Sequence, residues 1–192
     1  MKTENFGLFA EIVEGSMKMK PKMISLLKVV PVYKFGEKYE TSVDDIYIFE
    51  VNKNISSDKF DVFEYSGKPK PKPSLIDNSH KIYQRDKKVA ENALVHANYN
   101  CEIDVGHPSF IRKTNGSKYS EPHHLVPMAM QDKFDVSLDV EENVVSLCSN
   151  CHNEIHYGKY ADRLIKILYN QRKELLKRVG IDILLEELMD MY

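Results

Sequence analysis

The chain has 192 residues, enough for one ordinary domain or two small ones with a buried core. Its 27 Lys and Arg nearly balance 29 Asp and Glu, which excludes a polycation that grips nucleic acid by bulk charge and leaves phosphate contacts to local clusters. The first residues, Met1-Lys2-Thr3-Glu4-Asn5, lack the basic-then-apolar layout of a secretory signal, and no apolar run is long enough to cross a bilayer, so a cytoplasmic protein is expected.

From the amino terminus, Met23 to Tyr33 and Ile46 to Val51 are rich in Ile, Leu, Val, Tyr and Phe, and Phe60 to Tyr65 alternates apolar with acidic residues. These patterns predict strands, although Pro31 interrupts the longest run. Residues 1–67 are therefore expected to form a small β-rich region for target recognition or partner binding. Lys68-Pro69-Lys70-Pro71-Lys72-Pro73 cannot be helical and predicts an extended, exposed connector over 68–80. The remainder, 81–192, is expected to form a second domain.

That domain opens with an amphipathic helix over Asp86 to Asn98, where Val89, Ala90, Ala93, Leu94 and Ala97 fall on one face after Arg85, Lys87 and Lys88. The chain closes with two more helices. Tyr160, Leu164, Ile167, Leu168, Leu175 and Leu176 form one stripe; Gly180 is a stop; and Ile183, Leu184, Leu188 and Met191 begin another. The stripe suits core packing or a dimer contact.

Five of the seven histidines and all three cysteines lie between Cys101 and His156, which locates the chemistry. Cys148 and Cys151 have the Cys-x-x-Cys spacing that turns two thiolates onto one tetrahedral zinc ion. Cys101 is the third candidate ligand. His107, beyond Gly106, is proposed as the fourth, with Asp104 or another histidine as rivals. Such a site would staple distant parts of the chain and stabilise a module with little apolar core.

His152 and His156 are four residues apart, so a helix starting near Cys151 places both imidazoles on one face. Tyr119-Ser120-Glu121-Pro122-His123-His124-Leu125-Val126-Pro127 reads as a strand ending in a turn. Adjacent strand residues point to opposite faces, so His123 and His124 are expected to divide their roles.

The run Glu121-x-His123-His124-Leu125-x-Pro127, then Glu142-Asn143-Val144-Val145-Ser146-Leu147-Cys148-x-x-Cys151-His152-x-x-x-His156, resembles the HNH, or ββα-metal, endonucleases. The resemblance covers about Cys101 to His156 and is nearest to the zinc-containing HNH enzymes of bacterial restriction systems, including those resembling modified-cytosine-specific nucleases. One departure is that many such enzymes carry two Cys-x-x-Cys pairs, whereas the first pair here is reduced to Cys101.

The resemblance implies an α+β fold: a C-terminal ββα-metal module with a structural zinc knuckle and flanking helices, after the β-rich region. It implies His124 as general base, and His123 and His152 as ligands of one catalytic divalent ion, with His156 a further ligand or a phosphate contact. Asn143 would brace the loop between the strands. A three-histidine site favours Mn²⁺ or Ni²⁺ over Mg²⁺. The implied activity is hydrolysis of phosphodiester bonds in double-stranded, and in some cases modified, DNA, in restriction or phage defence.

Arg112, Lys113, Lys118, Lys159 and Arg163 flank the motif as weaker candidates for phosphate contact. A homodimer is a further expectation for cutting both strands. The competing readings are a non-catalytic, zinc-stabilised nucleic-acid- or protein-binding module, and a colicin-like toxin nuclease.

Overall fold

The computed structural model describes residues 43–55, 63–77 and 82–192. The chain divides into two compact units, residues 1–49 and 50–192, and of the first only 43–49 are described. No described helix is long and apolar enough to cross a membrane.

The first described element corrects the expectation of a strand at Ile46 to Val51, because Val43–Asn54 is an α-helix, α1. Tyr47, Val51 and Ile55 are all buried, a spacing of four that belongs to a helix, while Phe49 is 55% exposed. Tyr, Ile, Phe and Val signal a strand by composition, but here their period decides. The Met23 to Tyr33 run lies outside the described residues, as do residues 60–62; residues 63–65 form no strand.

The Lys-Pro run is extended and largely exposed, yet it is tied down. Lys70 O accepts the Ser137 N–H, Lys70 Nζ pairs with Glu141 at 2.8 Å, and Pro71 bridges Val136. A short antiparallel pair follows, β1 (Leu75–Asp77) with β2 (Ile82–Tyr83).

Next comes α2 (Lys87–His96), started by Asp86, whose carboxylate accepts the Lys88 N–H. It buries Val89, Ala90, Ala93 and Leu94. An antiparallel pair then forms between β3 (Glu121–His124) and β4 (Val144–Leu147), with Glu121 opposite Leu147, His123 opposite Val145 and His124 opposite Val144. Between them lies a 3-10 helix, Met128–Lys133. Directly after β4 come α3 (Ser149–Tyr157), α4 (Ala161–Arg178) and α5 (Leu185–Met189).

Every residue of β3 and β4 is buried, so this two-stranded sheet is covered on both faces. Val144 packs with Val89 and Ala93 of α2, whereas Val145 and Leu147 join the main core with Ile155, Leu164 and Leu168. Opposed residues in a pair share a face. The face of His124 is therefore the α2 face, and that of Glu121 and His123 is the α3 face.

Leu164, Leu168 and Leu176 of the C-terminal stripe are buried in this chain's own core, so they are not available as a dimer seam. Arg172 occupies the same stripe, 3% exposed, paired with Glu102 at 2.5 Å and hydrogen-bonded to Tyr65. Gly180 ends α4 at φ +81°: its N–H reaches Lys177 O and that of Ile181 reaches Leu176 O, the paired bonds of a left-handed helix stop.

Candidate metal centres and the strand between them

Two clusters of ligand-type side chains both draw residues from α3 and its N-cap. The first contains Cys101, His107, Cys148 and Cys151, whose donor atoms all fall within 4.8 Å of one another. Cys148 caps α3, its sulfur accepting the Cys151 N–H at 3.5 Å, and this turn aims both thiols the same way. Nδ1 of His107 is 3.3 Å from Cys151 Sγ and 3.7 Å from Cys148 Sγ. Sulfur and nitrogen ligands on one tetrahedral zinc ion stand about 3.6 Å apart, so this donor set fits.

The electrostatics fit as well. Burial works to raise the Cys101 thiol, but hydrogen bonds from the backbone of Cys148, Asp104 and Ile103 and from the His107 ring bring it below the ordinary value. Burial pushes the Cys151 thiol up, and neighbouring Cys101 and Cys148 push it further. A divalent cation would relieve that crowding by neutralising several thiolates at once.

The second cluster is His123, His152 and His156, again with donor atoms within 4.8 Å. Ring centroids are 5.2 Å apart for His123 and His152, 5.0 Å for His123 and His156, and 4.8 Å for His152 and His156. Imidazoles binding one ion at about 2.1 Å have centroids about 5 Å apart, so these rings could hold a single divalent cation. His123 and His152 are buried and His156 is exposed, which leaves the cluster open on one side.

Burial above all, then the His152 and His156 rings, with His124 and Arg85 behind them, push the His123 imidazole well below the usual histidine range. His123 is therefore neutral near pH 7, the form that ligates a metal. Glu121 shares the face of His123 and reaches His152, its Oε2 3.2 Å from Nδ1, while its Oε1 accepts the Ser149 hydroxyl at 2.8 Å. The Tyr192 hydroxyl lies 2.8 Å from His123 Nε2.

His124 looks the other way. Its Nε2 is 2.9 Å from Asp139 Oδ1, both side chains are buried, and Asp139 Oδ2 accepts the Asp86 N–H at the start of α2. Asn143, fully buried, spans the connection between the strands. Its Oδ1 accepts the Val126 N–H at 2.8 Å, and its Nδ2 donates to Val126 O at 2.9 Å and Leu138 O at 2.8 Å.

The basic candidates separate. Arg112 is 5% exposed, stacked on Tyr99 and Tyr119 and hydrogen-bonded to Asn52, Ser117, Lys118 O and Ser120 O, so its guanidinium shapes the 110–119 hairpin instead of facing solvent. Lys118 Nζ binds Asn100 Oδ1 at 3.2 Å. Lys113, Lys159 and Arg163 are exposed.

Sequence reasoning assigned no role to Glu121, Asp139 or Tyr192. Glu121 had a usable signal, because it stands two residues before His123 on a strand. Asp139 and Tyr192 arrive from a loop and from a helix end far along the chain, and no local pattern points to them.

The class that these observations define is a mixed α/β chain whose two-stranded antiparallel sheet and following helix carry two candidate metal centres, one of them a Cys₃His set. No family model matches it. Over 106 residues, 55% of its length, the chain is 34% identical to the type IV methyl-directed restriction enzyme EcoKMcrA of Escherichia coli (strain K12), and it spans 36% of that enzyme. A solved type IV phosphorothioation-dependent restriction endonuclease, ScoMcrA, aligns with 84% of this chain and 27% of its own at 21% identity and a TM-score of 0.41, too distant a likeness to assign a fold.

Proposed function

We propose that the chain is a metal-dependent DNA endonuclease of the HNH, ββα-metal kind, hydrolysing phosphodiester bonds with one catalytic divalent ion and acting in restriction of foreign DNA. The observation that carries this reading is the convergence of His123, His152 and His156, with the next strand residue, His124, held by a buried carboxylate. The similarity to a methyl-directed restriction enzyme supports the substrate class, including DNA bearing modified bases.

Asp139 accepts a hydrogen bond from His124 Nε2, so a neutral ring carries its lone pair on Nδ1, the atom that would act as base. Nδ1 takes a proton from water, the oxygen attacks phosphorus in line, and the bond to the 3′ oxygen breaks, that oxygen leaving with the bonding pair and taking a proton from solvent. A divalent ion held by His123, His152 and His156 would supply Lewis-acid stabilisation of the charge that develops on the phosphate. Asn143 fixes the connection that follows His124, and Glu121 orients His152. Cys101, His107, Cys148 and Cys151 would hold a structural zinc ion, distinct from the catalytic one.

In this reading residues 1–67 serve target or partner recognition, 68–80 connect, and 81–192 carry the chemistry. The protein works in the cytoplasm, and a homodimer would cut both strands.

Purified protein is incubated with modified and unmodified plasmid DNA and Mn²⁺, Ni²⁺ or Mg²⁺. Cleavage that requires a divalent ion is expected, with Mn²⁺ or Ni²⁺ preferred. Intact DNA under every combination would leave only a zinc-stabilised binding module.

A further inference from the structure

The three-histidine cluster has a partner from the far end of the described chain. Tyr192 Oη lies 2.8 Å from His123 Nε2 and 2.8 Å from Leu125 O, with His124 O at 3.4 Å. A carbonyl oxygen only accepts, so the phenol proton is directed toward Leu125 O. A hydroxyl that donates to a carbonyl still has lone pairs to accept from elsewhere. The nitrogen facing it must then carry the hydrogen: His123 Nε2–H donates to Tyr192 Oη. A neutral imidazole has one N–H and one lone pair, so the lone pair falls on Nδ1.

Resting on the reading of this cluster as a metal centre, we propose that Tyr192 is a positioning residue that fixes the tautomer of His123, keeping hydrogen on Nε2 and presenting Nδ1 to the ion. The neighbouring ligand is held in the complementary way. Glu121 Oε2 lies 3.2 Å from Nδ1 of His152, so Nε2 is the nitrogen this ring would present to the ion. One strand histidine and one helix histidine are thus set in opposite tautomers by two different partners, each outside the ligand set. Partners of this kind orient the ring and raise its basicity, and losing one weakens metal affinity by about 10–100-fold.

The connection has a structural basis. Leu188 of α5 is fully buried in the main core with Leu164 and Leu168 of α4, and Met189 and Met191 pack against that core. This packing carries Tyr192 to β3, where its ring stands 5.9 Å from that of His123. Tyr192 is 41% exposed, so removing its hydroxyl opens no cavity in the core.

Two measurements on the zinc-loaded full chain test the proposal. Nitrogen-15 NMR of the histidine rings, with the His123 signals identified by their loss in His123→Gln, should show the Nε2–H form in the wild type before Mn²⁺ is added. Tyr192→Phe should mix the two forms and weaken Mn²⁺ binding, measured by calorimetry, by about 10-fold or more. An Nδ1–H form in the wild type overturns the proposal. So does Tyr192→Phe binding Mn²⁺ as tightly as wild type, even with a lowered unfolding temperature, because a merely structural role would move stability and leave affinity alone. Wild-type protein that binds no Mn²⁺ overturns the metal-centre reading and the proposal together, whereas equal binding by both proteins overturns the proposal alone.

Discussion

The carboxylate of Glu121 joins a strand to a helix: one oxygen lies 3.2 Å from Nδ1 of His152 and the other accepts the Ser149 hydroxyl at the first turn of α3. The amide of Glu121→Gln keeps the shape but loses the charge that holds this imidazole. Mn²⁺ affinity should fall by about 10–100-fold. Cleavage measured at saturating Mn²⁺ should recover most of the wild-type rate, since the base is untouched.

Asp139→Asn should do the opposite. Its carboxylate contacts His124 Nε2 and accepts the Asp86 N–H at the start of α2, and it is not one of the three clustered histidine ligands. General-base catalysis is worth about 10²–10⁴-fold, and an amide can hold the wrong tautomer, so cleavage should drop by at least about 10-fold at every Mn²⁺ concentration. Calorimetry should find Mn²⁺ affinity unchanged. A rate restored by excess Mn²⁺ would place Asp139 with the ion instead of the base.

Asn143→Ala would strip three backbone groups of their partners: the N–H and C=O of Val126 and the C=O of Leu138. Each buried group left unsatisfied costs about 1–3 kcal/mol, so urea denaturation should show a loss of at least about 3 kcal/mol. Ordinary stability would mean that water replaces the amide, which its full burial argues against.

The Cys₃His set should bind one zinc ion per chain, and Cys151→Ser should release it. Structural zinc contributes on the order of 10 kcal/mol in small zinc modules. Even a third of that would lower the unfolding temperature of a chain this size by roughly 6–12 °C. Zinc content by elemental analysis, read alongside the melting curve, checks both halves. Full zinc in Cys151→Ser would remove the cysteines from the site.

The candidate site was legible where ligand spacing met a known periodicity. Cys148 and Cys151 form a turn, and His152 and His156 share a helix face, so short-range rules suffice to pair them. His123 and His124 separate because a strand alternates, and the structure puts them on the two faces of the β3–β4 pair. Contacts carried by tertiary packing were not legible. Asp139 reaches His124 across a loop and Tyr192 reaches His123 from beyond α5, neither with a local signature.

The fold divides in the same way. The α2 and α4 helices announce themselves through apolar period and terminal signals, Asp86 and Gly180. The α1 segment misleads because Ile46, Tyr47, Ile48, Phe49 and Val51 are strand-formers by composition; the buried spacing of Tyr47, Val51 and Ile55 is what separates helix from strand. Arg172 was unreadable too, since a buried arginine makes sense only once Glu102 is known to face it.

The most direct test of the nuclease reading compares wild type with His124→Ala on supercoiled plasmid DNA in Mn²⁺, with Mn²⁺ affinity measured on the same samples. The predicted result is a cleavage rate at least about 100-fold lower in the variant at unchanged Mn²⁺ affinity, since the lost group is the base and not a ligand. Equal cleavage by the two proteins, or no cleavage by either, would contradict it.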